Sequence, residues 1–275
     1  MTTLAVDREQ TESRWPTQYL FGVPICALTM EQVLSVIDET IESRGRLLIG
    51  AVNAAKIVNM RGNAPLREAV LKADLVIADG AAVVWASRVL RKPLPERVTG
   101  IDLMVGMLKR GDERGYRIYC LGATTEVLEA AVSRIRNDYP GLVVAGYHHG
   151  YFSPDEETKV VEEIRATAPD ILLVAMSPPK KEQFLARWSH DLAPVGHGVG
   201  GALDVLAGKV DRAPEAWQRW GMEWLYRVKQ EPGRLWRRYL VTNSIFLGMV
   251  VGTLACRPRA RRPSRRVRSA PQGPP

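Results

Sequence analysis

The 275-residue chain is 46% apolar with ordinary glycine and proline contents, which excludes a fibrous or largely disordered protein. Its cysteines, Cys26, Cys120 and Cys256, lie far apart, which excludes a disulfide scaffold and a cysteine-rich metal site. Residues 209–275 contain 15 lysines and arginines against four acidic residues, whereas residues 1–208 contain 23 against 26. We therefore expect a slightly acidic body and a basic C-terminal part that seeks an anionic surface.

Residues 1–19 are polar and without periodicity, which predicts a flexible arm. These residues contain no basic run followed by an apolar stretch, so a secretory signal is not expected. A cytoplasmic location is expected instead.

Between residues 20 and 208, short apolar runs alternate with helical patterns. The runs predict strands buried on both faces at 47–51, 75–78, 117–121, 142–146, 171–175 and 195–199, and two of the helices are predicted at 30–43 and 125–138. This alternation predicts an α/β catalytic domain with a Rossmann-like, mostly parallel sheet flanked by helices. Ligands of such sheets bind beyond the carboxyl ends of the strands, so functional loops are expected to begin near Asn53, Asp79, Gly122, Ser177 and Gly200.

Residues 209–256 form a different region, rich in tryptophan and arginine. Four of the seven tryptophans stand between residues 213 and 240, interleaved with arginines, and this composition is typical of a helical appendage at a membrane interface. The apolar stretch 240–255 has 16 residues, fewer than the roughly 20 needed to span a bilayer, which favours a helix lying in the interface. The alternative is a helical core packed on the body. Residues 257–275 predict a disordered basic tail.

Asp79 is the leading candidate for catalysis. It follows an apolar run directly and precedes Gly80, so its carboxylate is expected at the end of a buried strand, where partial desolvation suits it to general base work. The alternative is that Asp79 caps the following helix.

Other loops offer groups that suit a phosphate. Arg97, Thr99, Gly100 and Asp102 precede a helix, where Thr99 or Asp102 is expected to cap and Arg97 to face a phosphate. The turn at Gly122 opens a helix whose backbone amides could hold a diphosphate, with an ordinary strand-to-helix turn as the alternative.

Two further segments carry charge or glycine. Lys180, Lys181 and Glu182 begin a helix, where positive charge opposes the helix dipole and indicates an anionic ligand; solvated surface lysines are the alternative. The segment VGHGVGGALD contains a late GxGxxG, a weak nucleotide signal, and includes Gly200 and Asp204.

Motifs for several other chemistries are absent from the sequence. It contains no P-loop, no HExxH, no nucleophile elbow and no Asp-x-Asp. His148 and His149 are adjacent and are expected to point in different directions, so no metal site is predicted.

Several segments of the sequence, which follow one another in the same order as in the family, resemble the WecG/TagA/CpsF family of glycosyltransferases. The matching segments between about residues 20 and 247 are ADLVIADGAAVVWASR, PERVTGIDLM, CLGAT, GYHHGYF, PDILLVAMSPPKKE, GVGGALDVLAGKVDRAP and WQRWGMEWLYRVKQEPGRLWRRYL. The last segment is the most specific.

The resemblance implies an inverting, metal-independent transfer of a hexose-type sugar, such as N-acetylmannosamine, from a UDP-sugar. The implied acceptor is an undecaprenyl-diphosphate-linked saccharide in cell-surface polysaccharide or teichoic acid synthesis. Asp79 is the implied base, and Asn53 matches the Asn of a T-x-N motif. The appendage is implied to bring the enzyme to the inner face of the plasma membrane and to complete the site with arginines, among Arg212, Arg227, Arg234, Arg237 and Arg238.

Two positions depart from the family pattern. Ala51 replaces the Thr of T-x-N, and Lys181 replaces the usual Gln of PKQE, so a different donor sugar, such as an acidic one, is an expectation.

Two rival functions remain at this point: a nucleotide-dependent oxidoreductase on the same architecture, and a non-enzymatic protein whose arginine tail holds nucleic acid. The expected partners are a UDP-sugar, a lipid-linked diphosphate saccharide and an anionic membrane surface, with no cofactor and no nucleic acid. The oligomeric state is left open, a homo-oligomer included.

Overall fold

The computed structural model describes residues 14–230 and 232–256, without the side chain of Arg234. The tail predicted for 257–275 and residues 1–13 of the predicted arm lie outside the described residues. Residues 17–19 of that arm instead belong to a strand, so the arm cannot extend to residue 19 as predicted.

The described chain begins with an antiparallel hairpin of strands β1 (Thr17–Leu20) and β2 (Val23–Cys26). Phe21 and Gly22 form its two-residue turn with φ of 53° and 76°, the geometry that matches the twist of tightly joined strands. The Phe-Gly pair lacks the Asn-Gly or Asp-Gly signal of such turns, which explains why the sequence did not predict the hairpin.

The body is built on a parallel sheet of six strands. They are β3 (Leu47–Val52), β4 (Leu75–Ala78), β5 (Arg117–Gly122), β6 (Val143–His148), β7 (Ile171–Ala175) and β8 (Val195–Gly198). Their order across the sheet is β4-β3-β8-β7-β5-β6, with every neighbouring pair parallel. The predicted α/β, Rossmann-like fold class is confirmed.

Strand β6 corrects one expectation about burial. It lies at the edge of the sheet, and Val143 and Tyr147 are exposed, so it is not buried on both faces as predicted. The other edge strand, β4, is fully buried, because the hairpin packs against it.

Helices cover both faces of the sheet. They are α1 (Met30–Glu42), α2 (Ala54–Asn59), α3 (Ala64–Leu71), α4 (Ala81–Val89), α5 (Gly100–Arg114), α6 (Thr125–Asp138), α7 (Pro154–Thr167), α8 (Lys180–Leu192) and α9 (Ala202–Leu206). Alternate strand residues face opposite layers: Ile49 belongs to the core beneath α1, α5 and α6, whereas Leu48 belongs to the core beneath α7 and α8.

The C-terminal appendage is helical over its described residues. Helix α10 (Glu215–Arg219), α11 (Glu223–Gln230) and α12 (Pro232–Ala255) follow one another. Two aromatic pairs join them: Trp217 with Tyr226, and Trp224 with Tyr239, at ring-centroid distances of 5.9 and 5.7 Å. Part of the aromatic content therefore packs within the appendage, whereas the alternative interpretation expected the tryptophans to pack against the body.

Helix α12 has one face packed on the body and one face exposed. Phe246 and Val250 are buried in the core that includes α2 and α4, and the Phe246 ring lies 5.3 Å from that of Phe21. The segment Leu235–Ala255 is long and apolar enough to cross a membrane by length and composition. That length of 21 residues exceeds the 16 that the sequence predicted, because the segment begins at Leu235, five residues before the apolar stretch at 240–255.

Candidate active site

Asp79 and Asn53 emerge side by side at the carboxyl edge of the sheet. Strands β3 and β4 are paired with Val52 opposite Ala78, so the next residue of each strand leaves the sheet at the same level. The backbone N–H of Asp79 donates to the carbonyl of Val52 at 2.8 Å. Gly80 has a φ of 154°, and a Cβ there would lie 3.3 Å from that of Asn53. The close packing of the two loops therefore depends on glycine at position 80.

The carboxylate of Asp79 is half-buried and is not used to build the fold. Gly80 is the N-cap of α4, which has no side-chain cap, so the alternative that Asp79 caps this helix is wrong. Within residues 14–230 and 232–256, neither a hydrogen bond nor an ion pair engages this carboxylate. It is thus free to accept a hydrogen bond from a ligand.

Behind Asp79 lies a buried cluster of charges that the sequence predicted only in part. The Nζ atoms of Lys56 and Lys181 lie 2.8 and 3.6 Å from the same Oε1 atom of Glu182. All three side chains are at most 13% exposed. Lys181 is therefore not a solvated surface lysine, which was the alternative interpretation.

The cluster shifts the pKa values of its members. Burial lowers the pKa of Lys181, and the positive charge of Lys56 lowers it further, against the opposing effects of Glu182 and Asp79. Burial raises the pKa of Glu182, but the ammonium groups of Lys56 and Lys181 outweigh it, so that pKa lies below its usual value. Oε2 of Glu182 is buried without a hydrogen-bond partner among the described residues.

Glycines within β8 and just after it make room for Lys181 and for the packing of α8. A Cβ on Gly198 would lie 2.8 Å from Cδ of Lys181, and one on Gly200 would lie 3.5 Å from its Nζ. A Cβ on Gly196 would lie 2.7 Å from that of Ser189 on α8. The literal GxGxxG thus has a packing explanation for two of its three glycines.

Lys56 is the main site residue that the sequence did not single out. The Asn53 side chain caps α2 by accepting the N–H of Lys56 at 2.9 Å, which fixes the backbone of the lysine near the sheet edge. The sequence signal that could have indicated Lys56 is a strand followed by an Asn helix cap, with a lysine three residues after that Asn.

The loop before α5 is tied to the appendage by two ion pairs. Thr99 caps α5, and its hydroxyl also donates to Asp102 at 2.6 Å. Asp102 in turn accepts from the guanidinium of Arg212, and Arg97 lies 3.5 Å from Glu223. The loop residues predicted to bind substrate are therefore in contact with the segment that the resemblance implied would complete the site.

The appendage also reaches the turn that carries Asp79. Gly221, between α10 and α11, has a φ of 71°, and a Cβ there would overlap that of Ala81 at the start of α4. The turn that carries Asp79 and the start of α11, which carries Glu223, are therefore close to each other in the fold.

Gly100 lies against His197, whose ring is fully buried on β8. Its Nε2 and Nδ1 atoms are each 3.4 Å from a carbonyl oxygen, of Gly100 and Ile49 respectively. Burial lowers the pKa of His197 to about 4, so the ring is neutral near pH 7.

Two further predicted site residues, Lys180 and Gly122, make contacts elsewhere in the part of the chain that the structure describes. Nζ of Lys180 donates to the carbonyls of Gly150 and Phe152 at 3.1 and 3.2 Å. Gly122 is buried, with a φ of 128° and no room for a Cβ against Ala175. Lys180 is therefore not a solvated surface lysine, which was its alternative interpretation. The close packing of Gly122 supports its alternative, an ordinary strand-to-helix turn. Ligand binding by either residue stays a prediction.

Asp204 is half-buried in α9. Arg227 lies 4.0 Å from Glu223, and Arg237 and Arg238 are exposed on α12, whereas the side chain of Arg234 lies outside the described residues.

A parallel sheet with charged and glycine-rich loops at its carboxyl edge defines a Rossmann-like α/β protein, a class in which ligands bind at that edge. A sequence model described as "Glycosyl transferase WecG/TagA/CpsF family" matches residues 18–260. The chain therefore belongs to this family and is a glycosyltransferase. The oxidoreductase alternative is not favoured.

One curated relative is an N-acetylglucosaminyldiphosphoundecaprenol N-acetyl-beta-D-mannosaminyltransferase of Bacillus spizizenii (strain ATCC 23059 / NRRL B-14472 / W23). This chain is similar to it at 39% identity over 179 residues, which cover 64% of this chain and 68% of the relative.

Proposed function

We propose that the protein moves a sugar of the N-acetylmannosamine type from a UDP-sugar to an undecaprenyl-diphosphate-linked saccharide, with inversion at the anomeric carbon. The name of the Bacillus relative, which includes both this sugar and this lipid carrier, supports the proposal. The setting is the synthesis of a cell-surface polysaccharide or teichoic acid at the inner face of the membrane.

The free carboxylate of Asp79 is the observation that carries the mechanism. An acceptor hydroxyl is a poor nucleophile, and a positioned base that takes its proton accelerates attack by about 10²–10⁴-fold. Asp79 accepts that proton while the acceptor oxygen forms a bond to the anomeric carbon. The bond from that carbon to the diphosphate breaks on the opposite face, and UDP leaves with the electron pair.

Cationic side chains near Asp79 stabilise the leaving diphosphate in this proposal. Arg97, Arg212 and Arg227 come from the loop before α5 and from the appendage, and guanidinium groups bind phosphate oxygens in bidentate pairs. Charge stabilisation of this kind is the reason that we propose a reaction without a metal ion. Unchanged turnover in the presence of a chelator is the expected result.

The buried pair of lysines bears on the choice of donor. Lys56 and Lys181 share the single carboxylate of Glu182, so this cluster, counted without Asp79, has one more positive group than negative groups. An acidic donor sugar is therefore a second candidate. Lys181→Gln would shift the ratio of kcat/KM toward a neutral donor if the candidate is right, and an unchanged ratio would contradict it.

Membrane engagement is proposed through the exposed face of α12. Leu240, Leu247 and Val251 are each at least half exposed, and Trp236 lies at the same helix's N-terminal end. Because the opposite face packs on the body through Phe246 and Val250, crossing a bilayer would require that face to leave its core. We therefore propose that α12 lies in the interface rather than spanning it.

Replacement of Asp79 by Asn tests the catalytic assignment. The change keeps the shape of the side chain and removes its ability to take a proton, so we expect turnover of UDP-N-acetylmannosamine on a synthetic polyprenyl-diphosphate saccharide to fall by at least about 10²-fold. Asp191→Asn is the matched control, because Asp191 is exposed near the end of α8, at the opposite edge of the sheet. A near-normal rate in Asp79→Asn with an intact fold would reject the assignment.

A further inference from the structure

The carboxylate of Glu223 lies between two arginines from different parts of the chain. Its Oε2 atom is 3.5 Å from Nη1 of Arg97, and its Oε1 atom is 4.0 Å from Nη2 of Arg227. Glu223 is only 16% exposed and Arg97 21%, so this ion pair is largely shielded from water. The appendage thus presents a negative charge to two of the arginines assigned above to the donor diphosphate.

These distances are too long for good hydrogen bonds. Charge-assisted N–H···O bonds span about 2.7–2.9 Å, whereas both guanidinium groups stand farther from the Glu223 oxygens. Among the described residues, neither Arg97 nor Arg227 donates a hydrogen bond that would use its guanidinium fork in another way. The two arginine side chains are therefore attracted to Glu223 by charge, and their guanidinium N–H groups donate no hydrogen bond to the described residues.

Glu223 lies close in the fold to the turn that carries Asp79. Gly221, two residues before it, packs against Ala81 at the start of α4, two residues after Asp79. Arg97 stands three residues before the start of α5. Under the proposed function, the diphosphate of a sugar attacked near Asp79 binds the same two guanidinium groups.

We propose that Glu223 competes with the donor for two arginines. It pairs with Arg97 and Arg227 when no donor is bound, and it gives both arginines up to the diphosphate when UDP-sugar enters. This inference rests on the proposed function, because the competing anion is the diphosphate of the donor.

Binding of UDP to the full chain, measured by titration calorimetry at fixed ionic strength, tests the competition. Glu223→Gln keeps the size of the side chain and removes its charge, so we expect UDP to bind about three- to tenfold more tightly than to the wild type. Glu223→Asp, which keeps the charge, should restore an affinity close to that of the wild type. Glu215→Gln is the matched control: Glu215 also begins a helix of the appendage, is exposed, and forms no ion pair with the described residues.

A second comparison separates competition from a general effect of charge. In an Arg97→Gln background, where the main partner of Glu223 is missing, Glu223→Gln should give less than a twofold gain in UDP affinity. Should Glu223→Gln unfold at the assay temperature, Glu223→Ser, which suits a helix N-terminus, takes its place with the same expected gain.

The outcomes separate the inference from the proposed function. An equal or weaker affinity of Glu223→Gln than of the wild type, with UDP bound by both, overturns the inference and leaves the donor class intact. A folded wild type that does not bind UDP contradicts the donor class, and the inference falls with it.

Discussion

At the scale of single residues, the candidate site consists of a free carboxylate, Asp79, in front of a buried cluster of two lysines and one glutamate. Asp79 and Asn53 follow short apolar runs, so their place at the carboxyl edge follows from the rule for parallel sheets. Lys56 carries no such signal, because its importance comes from Glu182, which lies 126 residues away in the chain. The burial of Lys181 has the same origin, since Gly198 of a neighbouring strand makes room for it.

A pH-dependent stability is expected from His197. Its pKa of about 4 lies below the ordinary value of 6.5 because the ring is buried. Between these two values the unfolded chain binds a proton that the folded chain does not, so the free energy of unfolding falls as the pH falls. From pH 7 to pH 5 this loss amounts to about 2 kcal/mol.

Urea unfolding of His197→Gln at pH 7 and pH 5 measures this contribution. The variant lacks the titrating ring and should lose less stability on acidification than the wild type. His149→Gln, which changes a half-buried loop histidine, should keep the wild-type difference. Equal acid sensitivity in His197→Gln and the wild type would show that other groups are responsible.

At the scale of elements, α12 is the helix whose role depends most on its two faces. Residues 246 and 247 are neighbours in sequence but differ sharply in environment: Phe246 is 3% exposed and Leu247 51% exposed. Hydropathy along the sequence does not distinguish them. Only the packing of α12 against α2 and the hairpin decides which side chain stabilises the fold.

Alanine substitution at these two positions should have very different effects on stability. Phe246→Ala removes a buried ring and should lower the free energy of unfolding by about 3–5 kcal/mol. Leu247→Ala removes an exposed side chain and should change it by no more than about 0.5 kcal/mol. Denaturant unfolding measures both, and equal losses would mean that α12 does not pack on the body as described.

At the scale of the whole molecule, charge and apolar surface are separated along the chain. The acidic body holds the sheet and Asp79, whereas the basic C-terminal part brings arginines to the site and an apolar face to the surface. Such an arrangement suits the proposed function, in which a soluble donor reacts with a lipid-linked acceptor at the membrane surface.

Flotation with phosphatidylglycerol vesicles tests the membrane face of the full chain. Leu240→Ser combined with Leu247→Ser should weaken vesicle binding more than tenfold, because two apolar side chains no longer enter the interface. The expected fold is unchanged, since both residues are exposed. Val143→Ser is the control, an exposed apolar residue on edge strand β6, and should float like the wild type. Undiminished flotation of the double variant would refute the proposed face.

The amino-acid sequence by itself determined the α/β class, most strand positions and the candidate base, because these follow from periodicity and from residues adjacent in the chain. The segment 75–78 and Asp79 are examples, since a short apolar run and the residue after it can be recognised from adjacent positions in the sequence. Only the tertiary structure decided the shared carboxylate of Glu182, the Arg97–Glu223 pair and the buried face of α12. The physical reason is that each of these depends on contacts between residues far apart in sequence, whose distances and exposure to water arise only when the chain is packed.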